Sequence, residues 1–391
     1  MFGAADDIRW EAWNDIPPLS RTDLLQEFDA LKSKKVPDNF GGLVLKKSSG
    51  STGQPVQALW TDTQNLATQC VIRRLHRWHA IDPGELLLRF SPAPLSAGMA
   101  ETEESYWGAV YKALNQPGRL VNINTHLPTQ HVVERLEALK PRHIIARPRE
   151  MLAVANVYRD RRTRPNFHLK SLRAYGELRT SIIDKQLKDM FGVRPISNYT
   201  SEEVGHIAME CPNCWQYHVV DEMVRVDVVD DRLRPVDAGN VGRILTTPLY
   251  SYAMPLLRYE LGDDVRLAQR ACQRSQSVDL SEVIGRHGDL FHHPDGGRFR
   301  PTNAMLTKVG LSLAALGIQM VQQKATSFVI RYQASSAPSK PALKAAVSEI
   351  REAFGFDITL RLERVFEIPT KSNGKRQDFV CELETKSSNQ I

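Results

Sequence analysis

The chain carries, at residues 46–53, the stretch Lys46-Lys47-Ser48-Ser49-Gly50-Ser51-Thr52-Gly53. An apolar run, Leu43-Val44-Leu45, comes before it, and Gln54-Pro55-Val56 comes after it. Glycine lets the backbone approach a ligand closely, and successive N–H groups of such a loop can form an anion-binding nest. No Lys follows Gly53, so this is not the G-x-x-x-x-G-K-[ST] phosphate loop. Taken alone, the stretch is either a phosphate-binding loop or a flexible Ser/Gly turn.

The composition is that of a soluble globular protein. Of 391 residues, 42% are hydrophobic and 25% are charged, and the length predicts two or three domains. The net charge of +6 is small for this length, which argues against a nucleic-acid partner. Neither a signal-peptide pattern nor an apolar run of about 18 residues occurs, so no membrane span is expected. The five cysteines do not form a disulfide framework, which favours a reducing, cytoplasmic location.

Hydrophobic periodicity predicts an α/β fold. Residues 17–46 are interpreted as a short helical lead-in. Beyond the loop, the pattern predicts helices at 66–79 and 131–139 and strands at 85–90 and 119–123. Strands that alternate with helices indicate a largely parallel sheet.

The pattern changes twice further along the chain. Residues 218–229, 242–247 and 264–267 predict a β-rich region. Residues 300–391 predict a small α+β unit with strands at 327–332 and 358–365 and a helix at 341–354. We therefore expect a large domain at 1–284 and a small domain at 285–391.

Five short segments in order resemble the signature segments of the adenylate-forming superfamily, which includes acyl- and aryl-CoA synthetases. They are residues 48–53 with Pro55, Asn198-Tyr199-Thr200-Ser201-Glu202-Glu203, Pro255-Leu256-Leu257-Arg258-Tyr259-Glu260-Leu261-Gly262-Asp263, Gly285-Arg286 with Asp289, and Pro369-Thr370-Lys371-Ser372-Asn373-Gly374-Lys375. The third segment and the short total length are most similar to the phenylacetate-CoA ligase branch. The resemblance implies a large N-terminal domain of mixed and parallel sheets with helices, and a small mobile C-terminal lid.

The resemblance also implies a role for each segment in ATP binding. The loop at 48–53 would hold the β- and γ-phosphates, and Glu203 would bind Mg²⁺, which favours one or two carboxylates together with phosphate oxygens. Tyr199 would stack on adenine beside Thr200. Asp263 would accept hydrogen bonds from the ribose hydroxyls, and Arg286 would reach ribose or phosphate.

Three further positions follow from the same resemblance. Lys375 would bring a mobile positive charge to the α-phosphate. Asp289 matches the hinge about which the small domain would swing between two half-reactions. Gly176-Glu177 is similar to a turn that lines the adenine pocket, although a plain turn explains these two residues equally well.

The implied reaction has two steps. A carboxylic acid, aryl or arylacetic by resemblance, reacts with ATP to give an acyl-adenylate and pyrophosphate, and CoA then takes the acyl group. One alternative keeps the first step and transfers the acyl group to an amine, an amino acid or a carrier-protein thiol. Another alternative is a non-enzymatic nucleotide-binding or zinc-stabilised protein on the same fold.

The chain departs from the family pattern at four positions. Val56 stands where a Lys commonly ends the loop, which removes one positive charge near the phosphates. Thr200 replaces a Gly, Glu202 replaces a Thr, and Asn373 replaces a Ser. The change at Glu202 leaves the contact to the α-phosphate open.

A second pattern concerns a metal. His206, Cys211, Cys214 and His218 place two thiols and two imidazoles within thirteen residues. Cys-x2-Cys followed by His is typical of structural zinc sites, in which four protein ligands surround Zn²⁺ tetrahedrally. The alternative is a pair of reduced structural cysteines with unrelated histidines. His206 has a further alternative, because it could face the acyl pocket beside Glu203.

Overall fold

The computed structural model describes residues 10–48, 55–91, 100–177, 179, 181–270, 272–273, 278–286, 291–296, 298–299, 303–369 and 378–383. The chain divides into two compact units. Unit 1 comprises Met1–Asn124, Pro141–Ile145 and Ile196–Arg286, and unit 2 comprises Thr125–Lys140, Ala146–Pro195 and His287–Ile391. Within the described ranges, no helix combines the length and apolar character that a membrane crossing requires.

The described α-helices are α1 (Arg21–Gln26), α2 (Asp62–Trp78), α3 (Ala109–Ala113), α4 (Thr129–Leu139), α5 (Pro148–Asp160), α6 (Ser181–Phe191), α7 (Asn303–Ser312) and α8 (Lys340–Phe354). Short 3-10 helices lie at Trp10–Asp15 and Asp38–Phe40. The first ten strands are β1 (Leu43–Lys47), β2 (Gln57–Thr61), β3 (Leu87–Ser91), β4 (Glu101–Glu104), β5 (Leu120–Asn124), β6 (His143–Ala146), β7 (Ser171–Ala174), β8 (Ile196–Ser201), β9 (Gly205–Glu210) and β10 (Tyr217–Val219). The remaining strands are β11 (Val224–Val229), β12 (Val241–Pro248), β13 (Tyr259–Leu267), β14 (Asp279–Arg286), β15 (Phe291–His292), β16 (Arg298–Phe299), β17 (Gly317–Lys324), β18 (Ser327–Gln333), β19 (Thr359–Arg364) and β20 (Phe379–Cys381).

Unit 1 contains a parallel and an antiparallel set of strands. Strand β3 pairs in parallel with β5 and β6, and β4 pairs antiparallel with β5. The antiparallel set runs in the order β11-β12-β13-β14-β10-β9-β8. An apolar cluster in unit 1 joins Trp60 of β2 to residues of this set, including Ile207, Ile244 and Val265. The predicted α/β fold is confirmed, with both parallel and antiparallel pairing.

Several predicted elements are present with shifted bounds. Helix α2 begins four residues before the predicted start at 66, because the Thr61 hydroxyl caps it by accepting the Gln64 N–H. The predicted strand at 218–229 is divided into β10 and β11. A turn separates them, in which the Met223 N–H donates to the Val220 carbonyl over 2.8 Å.

The predicted helical lead-in at 17–46 is wrong for most of its length. Helix α1 has six residues, of which Leu24 is the buried one, and residues 43–47 form strand β1. Pro37 and the glycines at 41 and 42 interrupt the segment, and Gly41 has φ of 78°. The apolar run at 43–45 instead pairs with β2 in an antiparallel ribbon.

Unit 2 also mixes helices and strands. Helix α5 packs against α4 and α6, and a sheet in the order β19-β18-β17-β20 is covered by α7 and α8. Its core includes the aromatic rings of Phe291, Phe328 and Phe379. The predicted helix at 341–354 and the strands at 327–332 and 358–365 agree with α8, β18 and β19. The division at residue 284 stays a prediction, because unit 2 also includes 125–140 and 146–195.

Candidate functional site

The ends of the loop at 48–53 are held together by the ribbon of β1 and β2. The Ser48 N–H donates to the Val56 carbonyl over 2.9 Å, and the Val56 N–H donates to the Ser48 hydroxyl over 3.0 Å. Val56 is 1% exposed and belongs to the core of unit 1. Ser48 is therefore both the first residue of the predicted loop and part of its closing contact. Ser49, Gly50, Ser51, Thr52 and Gly53 lie outside the described residues.

Glu203, the predicted Mg²⁺ ligand, lies in the tight turn between β8 and β9. Its carbonyl accepts the Trp60 indole N–H over 3.3 Å, and the next N–H, from Val204, donates to the Ser201 hydroxyl over 3.1 Å. Gly205 has φ of 94°, and a Cβ there would lie 3.0 Å from the Trp60 ring. Glycine is required at this position because a side chain would be strained and would press on Trp60. Trp60 thus supports the turn that carries the carboxylate.

Two cations lie near this turn. The Arg21 guanidinium is 3.9 Å from a Glu203 carboxylate oxygen, and the two side chains are 28% and 9% exposed. The Lys46 ammonium lies 4.9 Å from the centroid of the Trp60 ring, a cation–π distance. Glu202 and Thr200 are exposed beside the buried Glu203. Arg21 therefore pairs with the acidic turn, and Lys46 packs on the Trp60 ring that supports it.

Tyr199 and Asp263, two predicted nucleotide-binding residues, are in direct contact. The Tyr199 hydroxyl donates a 2.8 Å hydrogen bond to Asp263. Tyr199 comes from β8 and Asp263 from β13, where Asp263 is the Cα partner of Arg286 on β14. Three of the predicted positions therefore lie close together in unit 1, although they are far apart in the sequence. The side chain of Arg286 is outside the described part of the structure.

Two further residues of the predicted nucleotide site, Gly176 and Glu177, are described and lie in unit 2. Gly176 has φ of 72°, a turn conformation that suits glycine. The Arg149 Nε lies 2.9 Å from a Glu177 carboxylate oxygen in an ion pair, and burial raises the pKa of Glu177 above its usual range. This ion pair occupies a Glu177 oxygen. Asp289 and Lys375 lie outside the described residues, so their hinge and charge roles stay predictions.

A cluster of four soft ligands lies in unit 1. Cys211, Cys214, His218 and Cys272 place one ligand atom each within 4.8 Å of one another. The Cys214 sulfur is 3.4 Å from His218 Nε2. A tetrahedral zinc with bonds of about 2.3 Å to sulfur and 2.0 Å to nitrogen needs ligand separations of about 3.5–3.8 Å. The three thiols and one imidazole therefore fit a zinc ion.

The backbone around the cluster is shaped to present these ligands. The Trp215 N–H donates to the Cys211 carbonyl, and the Cys211 N–H donates to the Gln216 carbonyl, each over 2.9 Å. Trp215 has φ of 58°, so the chain turns back sharply between Cys211 and His218. Burial raises the pKa of the Cys214 thiol to about 12 and lowers that of His218 in the metal-free protein. Zinc would favour the thiolate forms that burial opposes.

The cluster differs from the predicted ligand set at one position. Cys272 takes the fourth place, and His206 is not a member. His206 is buried on β9, opposite Thr200 on β8. Cys272 is held by Asp279, whose carboxylate accepts the Cys272 N–H over 2.8 Å and lies 3.9 Å from His218 Nε2. The sequence did not predict Cys272, Asp279 or Arg21, because none of them falls in a local motif.

Comparison with known proteins places the chain among similar sequences and folds. No family model matches the chain. A phenylacetate-coenzyme A ligase of Thermus thermophilus is 29% identical over 172 residues, which are 41% of this chain and 38% of that protein. Protein CapK of Staphylococcus aureus is 27% identical over 149 residues, 36% of this chain and 32% of that protein. The match therefore spans well under half the length of either curated relative.

A solved structure of 2-hydroxyisobutyryl-CoA ligase in the postadenylation state, in complex with 2-HIB-AMP, has a TM-score of 0.76 to this chain. Identity is 17%, and the match covers 97% of this chain and 83% of that chain. The chain has the adenylate-forming fold. The resemblance to this superfamily and to its phenylacetate-CoA ligase branch is confirmed. Within the adenylate-forming fold of this protein, Glu203, Tyr199 and Asp263 belong to unit 1.

Proposed function

We propose that the protein is an AMP-forming ligase that activates a carboxylic acid with ATP and transfers the acyl group to CoA. The observation that carries this proposal is the grouping of Glu203, Tyr199 and Asp263 in one unit of an adenylate-forming fold. In the first step a carboxylate oxygen attacks the α-phosphorus of ATP, and pyrophosphate leaves. In the second step the CoA sulfur attacks the acyl carbonyl, and AMP leaves.

The described residues suit the first step. Buried Glu203, on a turn supported by Trp60, would hold Mg²⁺, which neutralises phosphate charge when it is bound. Asp263 would accept the ribose hydroxyls, and the 2.8 Å hydrogen bond from Tyr199 fixes its carboxylate. The ribose and the triphosphate would then be held by different strands of unit 1. Positioning of this kind supplies much of the catalysis when two anions must react.

Residues outside the described ranges complete the proposal. The Ser/Gly loop that follows Ser48 would contact the outgoing pyrophosphate, and Lys375 would reach the α-phosphate. We further propose an aryl or arylacetic acid as the substrate class, in line with the phenylacetate-CoA ligase relative.

Pyrophosphate release over a panel of aromatic, arylacetic and aliphatic acids tests the first step. We expect acid-dependent release with ATP and Mg²⁺, and CoA-dependent release of AMP afterwards. Lys375→Ala should lower pyrophosphate release strongly, whereas the matched control Lys371→Ala should not. Release of AMP with amines but not with CoA would favour an amide-forming enzyme. ATP binding without any pyrophosphate release would favour a non-enzymatic binding protein.

We propose in addition that Cys211, Cys214, His218 and Cys272 hold a structural zinc ion. Four protein ligands fill a tetrahedral shell and leave no open position for a substrate, which separates this centre from the reaction. Buried Asp279 would orient Cys272 through its N–H, as outer carboxylates commonly do at zinc sites. Metal analysis of the purified protein should find about one zinc per chain.

A further inference from the structure

Unit 2 contains a cavity at the C-terminal end of helix α5. Its volume is about 410 Å³, within the range of about 300–1,000 Å³ that is usual for ligand sites. Arg159, Arg162 and Arg164 line it together with Thr163, and Asp189 lines it from α6. Small-molecule sites are mostly lined by apolar side chains. A wall of three guanidinium groups instead favours an anionic ligand.

The turn that follows α5 brings the three arginines to one cavity. The Arg162 N–H donates to the Arg159 carbonyl, and the Thr163 N–H donates to the Tyr158 carbonyl, each over 3.0 Å. Arg162 has φ of 55°, so the chain reverses at this residue. Tyr158 is fully buried, and its ring packs edge-on against Phe191 of α6 with 6.5 Å between centroids. The turn is therefore anchored in the core of unit 2.

Two of the arginines are held by neighbouring groups through one nitrogen each. Arg159 Nη1 donates to the Asn156 side-chain oxygen over 2.6 Å, and Arg164 Nη1 donates to the Asp189 carbonyl. A guanidinium has five N–H donors on three nitrogens, so each of these contacts orients the group and leaves other donors for a ligand. Arg162 is exposed, and its side chain is not paired with a carboxylate of any described residue.

The lining has an excess of positive charge. Asp189 is its one acidic member, against three arginines. The Lys185 ammonium lies 3.1 Å from the Asp189 carboxylate, so the negative charge of Asp189 already has a partner on the same helix. An anion with two charges would therefore meet three guanidinium groups with little opposing charge.

We propose that this cavity binds the phosphoryl group of a phosphomonoester. The guanidinium fork matches two phosphate oxygens, and the Thr163 hydroxyl would donate to a third. At neutral pH a phosphomonoester carries about two negative charges, which suits three arginines better than the single charge of a carboxylate does. The cavity is larger than a phosphoryl group and leaves room for the organic part of the ligand. The inference concerns unit 2 alone and does not depend on the proposed ligase reaction.

Calorimetric titration of the full chain with phenyl phosphate tests the proposal. Phenyl phosphate should bind about fivefold more tightly than phenyl sulfate, because it carries about one more negative charge. Arg162→Gln should weaken phenyl phosphate binding about 10-fold, the lower end of the range for hydrogen bonds to charged groups, because Arg162 is exposed. The matched control is Arg161→Gln, since Arg161 belongs to the same turn but lies 3.7 Å from Glu137 and does not line the cavity.

A variant of the proposed nucleotide site separates the two places where a phosphate could bind. Asp263→Asn should keep the wild-type affinity for phenyl phosphate, and thermal unfolding of each variant shows that it is folded. Arg162→Glu, which reverses the charge at the same exposed position, should weaken binding further than Arg162→Gln. No binding of phenyl phosphate, equal affinities for the two probes, or an equal loss in Arg161→Gln would each overturn the proposal. A loss in Asp263→Asn without a loss in Arg162→Gln would place the ligand in unit 1 and overturn it as well.

Discussion

Replacement of Cys272 by serine should release the proposed zinc ion. Cys272 is the one member of the cluster that comes from a distant segment, between β13 and β14. Serine has nearly the same size as cysteine, but its hydroxyl is a poor zinc ligand at neutral pH. The Asp279 carboxylate still accepts the N–H at position 272, so the change acts on the sulfur and leaves the backbone contact in place.

The size of the expected loss of zinc affinity follows from the geometry of the cluster. The four ligand atoms lie within 4.8 Å of one another. No two of them therefore have to approach by more than about 1 Å to reach tetrahedral separations. The site is therefore nearly formed without the metal. Structural zinc sites bind with about 10–16 kcal/mol in total, which is about 2.5–4 kcal/mol for each of four ligands. Loss of one thiolate should lower zinc affinity about 100- to 1000-fold.

Competition with a chromophoric zinc chelator measures this affinity directly. Cys272→Ser should give up its zinc at chelator concentrations that leave the wild-type protein loaded. Cys70→Ser is the matched control, because Cys70 is an exposed cysteine of unit 1 on α2. His206→Gln tests the ligand that the sequence predicted. The structure places Cys272 in the cluster instead.

Two results would refute the reasoning. Wild-type zinc affinity in Cys272→Ser would show that the fourth ligand is another group. A loss in His206→Gln as large as that in Cys272→Ser would return His206 to the ligand set.

Three other predictions concern the surroundings of these groups. Asp279→Ala should lower zinc affinity about 10- to 100-fold in the same chelator assay, because it removes the oxygen that accepts the Cys272 N–H. An unchanged affinity would contradict this role. Tyr199→Phe should lower the free energy of unfolding in urea by about 1–2 kcal/mol. The same substitution should lower it less in an Asp263→Asn background, where the charged partner is absent. Burial raises the pKa of Glu177, so the folded state binds its proton more tightly than the unfolded state does. Stability should therefore fall as pH rises from the ordinary carboxyl pKa to the raised one, and Glu177→Gln should flatten that part of the urea-unfolding profile; an unchanged slope would contradict the shift.

Elements with strong local patterns were predictable from the sequence. Helix α8 has apolar residues at helical spacing, the N-cap Ser339 with Pro341 in its first turn, and the C-cap Gly355 in a left-handed conformation. The strand at 327–333 has the β-branched and aromatic residues that favour a buried strand. The lead-in at 17–46 was not predictable in the same way, because β1 depends on pairing with β2 across the loop.

The candidate site also contains residues that a local pattern reveals and residues that only pairing between distant segments brings together. Cys211, Cys214 and His218 are close in sequence, so their spacing revealed them. Cys272 reaches them through the pairing of Tyr217 with Leu280 and His218 with Asp279, and sequence spacing carries no trace of that pairing. Arg21 is a single basic residue at the start of a short helix. It lies near Glu203 only in the folded chain, so the sequence does not predict this contact.

The paired hydrogen bonds between Ser48 and Val56 have an evolutionary consequence. They fix the distance between the two ends of the loop, and the direction of each end, at the border of the ribbon, whatever residues connect them. Since the entropy of closing a loop grows only slowly with its length, substitutions or insertions between these two residues should cost the core little. Residues 49–55 can therefore vary as an exchangeable segment, and the affinity of the proposed phosphate site can change there without any repacking of unit 1.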